Sequence, residues 1–158
     1  MARFVDRQRE FEELDQILRE PGAHFVGVYG RRRVGKTTLL LNWVQQTGAP
    51  YLYGVARRET ADAARHSLAR ALWRWAYPDV PDPEPPRFDS WALLFEQMAR
   101  MVADRPLILV FDEFPYAVES DPSLPSHLQA AWDHLLKDKP LTLILSGSHI
   151  GMMVDLLG

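Results

Sequence analysis

The stretch FVGVYGRRRVGKTTLL, residues 25–40, decides the fold. It opens with a short apolar run ending in Gly30, which is typical of a buried strand, and KTTLL begins a segment with the spacing of a helix. Three consecutive arginines lie between them. Two interpretations of these arginines are open: a basic patch directed at nucleic acid, or the variable positions of a loop that binds phosphate.

Residues 30–37 fit the pattern G-x-x-x-x-G-K-[ST], known as Walker A. Its glycines permit the backbone angles with which several N–H groups point at a triphosphate, and the start of the following helix adds its dipole. Lys36 would reach the β- and γ-phosphates and assist catalysis, and the Thr37 hydroxyl would bind Mg²⁺. We therefore expect ATP and Mg²⁺ as ligands, with a nucleotide site formed by Gly30, Arg31, Arg32, Arg33, Val34, Gly35, Lys36, Thr37 and Thr38.

The segment LILVFDE, residues 107–113, is an apolar run that ends in two acids, as a Walker B strand does. Such a strand delivers an acid to the carboxyl edge of a parallel sheet, where phosphates bind. Neighbouring strand residues point to opposite faces, so we expect the acids to have different roles. Asp112 would hold the Mg²⁺ shell through water, and Glu113 would orient and polarise the attacking water. The alternative is that both acids only terminate a strand.

A third apolar strand, LTLILSGS at residues 141–148, also ends in polar residues. In a P-loop sheet the strand after Walker B inserts between the Walker B and Walker A strands, so its last polar residue faces the γ-phosphate. Ser146 is the favoured catalytic sensor and Ser148 is the second candidate. Helix capping by either serine is the alternative interpretation.

Apolar patterns along the rest of the chain alternate between strands and helices. PYLYGVA at 50–56 predicts a strand, ETADAARHSLARALWRWAY at 59–77 predicts a helix, and Ser90 would cap another. Strands that are apolar on both faces and separated by helices predict a three-layer α/β/α P-loop NTPase fold of the ASCE type, with a mostly parallel sheet. The helix predicted at 126–138 would face inward through Leu128, Ala131, Trp132, Leu135 and Leu136.

The length of 158 residues suits one domain with a real core, and we expect a single P-loop ATPase domain over residues 1–158. Residues 1–20 would form an N-terminal helix segment. Residues 78–88 hold five prolines and predict a stiff surface loop, with a polyproline ligand for an SH3-like partner as the alternative. The segment after Walker B would be another loop, turned by Pro115.

Composition excludes several classes of protein. Eighteen Lys and Arg against 21 Asp and Glu give a net charge of −3, which disfavours a protein that coats DNA. With no cysteine, there is no disulfide, thiolate metal site or cysteine nucleophile. No apolar run is long enough to span a membrane, so we expect a cytoplasmic protein that does not bind membranes.

Four segments, FVDRQREFEELDQIL, VYGRRRVGKTTLLLNW, LVFDEFPYAVESDPSLPSHLQAAWDHLL and LTLILSGSHIGMM, resemble in order and spacing the archaeal and bacterial ATPase family within the STAND branch of AAA+ related P-loop proteins. The resemblance covers nearly the whole chain. It implies that Phe4, Val5 and Arg7 pack beside the adenine, although residue types alone make Phe4 and Val5 simple core residues. Family members usually continue through a helical lid, a winged helix and often a nuclease-like domain, through which nucleic acid would bind.

The sequence departs from that pattern by stopping at MMVDLLG, residues 152–158. We therefore expect a sheet truncated after the sensor strand, without a lid, C-terminal domains or a downstream arginine finger, and slow hydrolysis of ATP. Arg31 to Arg33 would then be the nearest cations to a phosphate or a neighbouring subunit. The Walker A strand would lie at a bare sheet edge, where a second copy of the chain can pair to form a homo-oligomer.

Three classes of function remain open. The favoured one is an ATP-driven switch, and the absence of an N-K-x-D guanine motif disfavours a GTPase. The second is a small-molecule kinase, which the adjacent Asp112 and Glu113 and the lack of an arginine-rich lid disfavour. The third is a non-catalytic module that uses nucleotide only to hold its fold, or that binds nucleic acid through Arg31 to Arg33, Arg57 and Arg58.

Overall fold

The computed structural model describes residues 3–6, 11–29, 36–103 and 105–148, with the backbone alone for 4–6 and 36–39. Strands and helices alternate along it, as the apolar patterns predict. The strands are β1 (Arg3–Asp6), β2 (His24–Tyr29), β3 (Tyr51–Val55), β4 (Leu107–Asp112) and β5 (Leu141–Gly147). The helices are α1 (Phe11–Arg19), α2 (Lys36–Gln46), α3 (Ala61–Ala76), α4 (Trp91–Met101), α5 (Phe114–Ser120), α6 (Leu124–Ala131) and a π-helical turn (Trp132–Leu136).

All pairings in the sheet are parallel, and the strand order is β1-β2-β5-β4-β3. The strand that follows Walker B therefore lies between the Walker A and Walker B strands, which confirms the predicted insertion. Every residue of β4 and β5 is buried, as expected for central strands of a sheet covered on both faces. The α/β P-loop fold class predicted from the sequence is confirmed.

The prediction of a bare Walker A edge is wrong. β1 pairs in parallel with β2, from Arg3 opposite Val26 to Asp6 opposite Tyr29, so β2 has a neighbour on both sides. The expected N-terminal helix begins only at Phe11, and part of the segment before it is extended. The homo-oligomer predicted through β2 therefore loses its basis. In the part of the sheet that the structure describes, the outer strands are β1 and β3.

Two apolar layers cover the two faces of the sheet, because successive strand residues point to opposite sides. Helices α1 and α2 pack against Val26, Val28 and Val110, among others. Helices α3 to α6 pack against alternate residues of the same strands, such as Phe25 and Phe111. This is the three-layer arrangement that the sequence predicts.

Two predicted features of the second half of the chain differ from the structure. The segment after Glu113, predicted as a loop, contains helix α5, with Pro115 in its first turn, where a missing backbone N–H costs no helical bond. The helix predicted through residue 138 passes into the π-helical turn, closed by a hydrogen bond from the Lys137 N–H to the Trp132 carbonyl at 3.0 Å. The wider turn rotates the side chains, and Leu135, predicted to face inward, is 36% exposed.

The proline-rich segment 78–88 has neither helix nor strand and is tied to α3 by polar contacts. Glu84 accepts a hydrogen bond from the ring of His66 at 2.9 Å and pairs with Arg70 at 3.3 Å. Arg87 pairs with Asp62 at 2.7 Å. Ser90, just after this segment, caps α4 by accepting a hydrogen bond from the Leu93 N–H, as predicted.

We predict that Glu84→Gln lowers the melting temperature at pH 7 by about 1–3 °C, the usual scale for an exposed ion pair. The His66 hydrogen bond, aided by the charge of Arg70, holds the pKa of Glu84 below its ordinary value of 4.5. A carboxyl group whose pKa is lower in the folded state stabilises the fold at pH values above its ordinary pKa. This stabilisation is lost as pH falls through the pKa of the folded state. The difference in melting temperature between wild type and variant should therefore shrink as pH falls below 4.5.

Differential scanning fluorimetry across this pH range measures the gap, with Glu96→Gln, exposed on α4, as the control. A gap that widens as pH falls would contradict the assignment.

Candidate functional site

Asp112, the last residue of β4, is fully buried and accepts hydrogen bonds from three different strands or their ends. The Tyr53 hydroxyl of β3 donates to Oδ2 at 2.5 Å. The Glu113 backbone N–H donates to Oδ1 at 3.0 Å, and the Ser146 hydroxyl of β5 donates to the same oxygen. These groups meet because parallel neighbouring strands end at one edge of the sheet, with Val55 opposite Asp112. A buried carboxylate with this many donors can stay charged.

Glu113 follows directly and has left-handed backbone angles, φ 55° and ψ 40°. Few residues other than glycine adopt this region, and a non-glycine residue there costs of order 1–3 kcal/mol. Its side-chain Oε1 accepts a hydrogen bond from the Ser148 hydroxyl at 2.9 Å. Strand alternation ends at Asp112, so the left-handed turn, not alternation, separates the two acids.

Both serines proposed as sensors contact the acids. Ser146 is fully buried and is engaged with Asp112, whereas Ser148 is partly buried and is engaged with Glu113. Ser146 also lies opposite Val28 of β2, which brings the end of β5 next to the Walker A strand. The contacts described for these hydroxyls are therefore to acids of the site rather than to a helix terminus.

The Walker A residues are described only in part. β2 ends at Tyr29 and α2 begins at Lys36, followed by Thr37 and Thr38, which is the predicted order of strand, loop and helix. Phe4 and Val5 lie in β1, where the backbone is described. Arg7 and the loop residues Gly30, Arg31, Arg32, Arg33, Val34 and Gly35 lie outside the described residues.

The oxygen atoms at and around Asp112 suit a hard cation. Carboxylate and hydroxyl oxygens are the ligands that Mg²⁺ uses, and Mg²⁺ is usually held by one or two carboxylates together with substrate phosphates and water. Within the ranges that the structure describes, no cluster of three or more His, Cys, Asp or Glu side chains forms an all-protein metal cage.

Helix α5 is held beside the site by the connection that follows β3. The Arg58 guanidinium lies over the Tyr116 ring, 5.3 Å from its centroid, and 3.7 Å from the Glu119 carboxylate. Arg57 is exposed. Sequence analysis missed Tyr53 and Tyr116, because neither residue belongs to a motif. The sequence signal of Tyr53 is its place near the end of a strand that pairs with β4, and that of Tyr116 is its place four residues after the end of β4.

Among the described helices, none combines the length and the apolar character that crossing a membrane requires.

Comparison with known proteins supplies the family. The family described as an ATPase domain predominantly from Archaea matches residues 4–158. The uncharacterized protein MJECL04 of Methanocaldococcus jannaschii is 32% identical over 150 residues, which are 95% of this chain and 30% of that protein. The uncharacterized ATP-binding protein MJ0423 of the same organism is 43% identical over 42 residues, which are 27% of this chain and 71% of that protein. The expected likeness to an archaeal ATPase family is confirmed, and the STAND branch stays a prediction.

Solved structures share the fold. The Walker-type ATPase PABY2304 of Pyrococcus abyssi matches with a TM-score of 0.66 and 22% identity over 96% of this chain and 47% of that chain. Cdc6p from Pyrobaculum aerophilum matches with a TM-score of 0.62 and 20% identity over 96% of this chain and 43% of that chain. The chain thus spans less than half of these structures and 30% of the longer curated relative.

The contacts of the two serines predict unequal effects on stability. Ser146→Ala should lower the free energy of unfolding of the nucleotide-free protein by about 1–3 kcal/mol, because a buried carboxylate loses a donor. Ser148→Ala should cost less than about 1 kcal/mol, because its hydrogen bond is only partly buried. Urea denaturation measures both values, with Ser67→Ala, exposed on α3, as the control. Equal losses for Ser146 and Ser148 would contradict the geometry.

Proposed function

We propose that this chain, which belongs to the family of ATPase domains found predominantly in Archaea, binds ATP with Mg²⁺ and hydrolyses it to ADP and phosphate. The observation that carries the proposal is the pair of acids at the end of β4. Asp112 is buried among donors, and Glu113 turns out of the strand toward a hydroxyl that follows β5. β5 lies beside β2, and the residues after β2 carry the pattern G-x-x-x-x-G-K-T.

The proposed roles follow from the chemistry of each side chain. Mg²⁺, when bound, would supply the positive charge that offsets the negative charge developing on the phosphates during transfer. Thr37 and Asp112 would hold the ion, Thr37 by its hydroxyl and Asp112 through water. Lys36 would pair with the β- and γ-phosphates. The remaining loop residues would cradle the phosphates by their backbone N–H groups.

Glu113 would act on the attacking water. Its carboxylate accepts the proton as the water oxygen bonds to the γ-phosphorus, while the bond from that phosphorus to the bridging oxygen breaks and ADP leaves. Ser148 donates its hydroxyl hydrogen to Glu113 in the nucleotide-free protein, and would turn that hydrogen to a γ-phosphate oxygen when ATP binds. We therefore move the proposed sensor role from Ser146 to Ser148 and assign Ser146 to the support of Asp112.

The finer proposal is a switch of the STAND type, in which hydrolysis or exchange rearranges attached domains. Its support is the order and spacing of the four resembling segments, together with relatives that are much longer than this chain. Phe4, Val5 and Arg7 would pack beside the adenine in this proposal.

The alternative of a nucleic-acid module has weaker support from the described arginines. Arg58 is already engaged with Tyr116 and Glu119, and the net charge is −3. Binding by Lys and Arg to phosphates depends steeply on salt. A nucleic-acid affinity that falls with salt and vanishes in Arg57→Ala would favour the alternative.

Two variants with matched controls test the ATPase proposal. Lys36→Ala should abolish the thermal shift produced by Mg·ATP, because the phosphates lose their cation. Glu113→Gln should keep the shift but lower turnover about 10²–10⁴-fold, the usual contribution of a general base. Lys137→Ala and Glu96→Gln, both exposed and remote from the end of β4, should match wild type in both assays.

Wild-type protein that shows no shift with any nucleotide would refute the proposal for this chain. Undiminished turnover in Glu113→Gln would refute the role of Glu113 while leaving nucleotide binding in place.

A further inference from the structure

Tyr53 reaches the proposed metal site from the outer strand β3. It lies opposite Val110, two residues before Asp112, so its side chain is on the same face of the sheet as the Asp112 carboxylate. The partners are 59 residues apart in the chain, and the hydroxyl is 2.5 Å from Oδ2. Tyr51, two residues earlier on the same face, instead accepts a hydrogen bond from the Gln45 amide at 3.2 Å.

The three donors limit how Asp112 can meet a cation. A carboxylate has two oxygens and about four lone-pair sites. Tyr53 occupies a site on Oδ2, and Ser146 and the Glu113 N–H occupy Oδ1. Because two donors engage Oδ1, the carboxylate is not arranged to close on a metal ion as a bidentate ligand, and Tyr53 fixes the direction in which Oδ2 faces. The carboxylate can still accept a hydrogen bond from a water molecule that the ion carries.

This restriction discriminates between cations. Mg²⁺ demands octahedral geometry, dehydrates reluctantly and usually keeps several waters, whereas Ca²⁺ readily takes carboxylates in direct or bidentate contact. A carboxylate that is held so that it accepts a hydrogen bond from metal-bound water suits Mg²⁺. Without the Tyr53 donor, Oδ2 can turn toward Ca²⁺ in direct contact, while Ser146 and the Glu113 N–H still engage Oδ1.

We infer that Tyr53 is a positioning residue, whose hydroxyl fixes the Asp112 carboxylate for hydrated Mg²⁺ and thereby sets a preference for Mg²⁺ over Ca²⁺. The inference rests on the proposed nucleotide function. A merely structural role is the competing explanation, because a phenol that donates to a buried charge also stabilises the fold. That role would lower stability and leave the cation preference unchanged.

Tyr53→Phe isolates the hydroxyl. It removes one oxygen and leaves the ring, and two other donors to Asp112 remain, so the variant should fold. The experiment titrates Mg²⁺ or Ca²⁺ against protein saturated with AMPPNP, a non-hydrolysable ATP analogue, and reads the cation concentration at half of the full thermal shift. Tyr51→Phe is the matched control, and a melt without ligand reports the stability of each variant.

We expect the Mg²⁺ midpoint of Tyr53→Phe to rise about tenfold, the low end of what loss of an outer-shell partner costs a metal site. The Ca²⁺ midpoint should stay within about twofold of wild type or fall, because direct contact becomes available. Tyr51→Phe should match wild type with both ions.

Unchanged midpoints in Tyr53→Phe, with or without a loss of stability, would overturn the inference. Equal increases for both ions would also overturn it, because they report a general weakening of the site. Both of these outcomes for the variant count against the inference only if the wild-type protein responds to nucleotide and metal. A wild type that does not respond at all refutes the proposed function itself, and the inference with it.

Discussion

The burial of one carboxyl group organises the end of this sheet. Asp112 is 0% exposed, and an ionised group at such a position is tolerated only when hydrogen bonds replace the lost water. Its donors come from β3, from the start of the α5 connection and from β5. The ends of β3, β4 and β5 must therefore lie side by side at one edge of the sheet. The register of β3, β4 and β5 is thus coupled to the needs of a single side chain.

The strand order also bears on the proposed role of this carboxylate in nucleotide binding. β5 separates β4 from β2, so the acids and the Walker A strand lie one strand apart instead of touching. The hydroxyls of residues at the end of β5 contact the acids from this intervening position. An arrangement with β4 directly beside β2 would leave no position between them for the serine that we propose as a sensor.

Much of this architecture is readable in the sequence, because β2, β4 and β5 are six- or seven-residue apolar runs joined to recognisable motifs. β1 is not, since four residues show no period and their pairing with β2 depends on a distant segment. The role of Tyr53 could not be predicted for the same reason, because its partner Asp112 is 59 residues away and their contact is set by the β3–β4 register. The exposed Leu135 follows from a π-helical turn that an ideal helical period does not contain.

The backbone at Glu113 bears on what that position requires. The chain must change from β4 to α5 within one residue, because Asp112 still belongs to the strand and Phe114 already begins the helix. Phe114 is fully buried and packs edge-on against Phe111 at 5.7 Å, which fixes both sides of the turn. Glycine would adopt the left-handed angles without strain, but it offers no carboxylate. A glutamate held there against its backbone preference, with its carboxylate bonded to Ser148, is what a site needing an acid at this point would have.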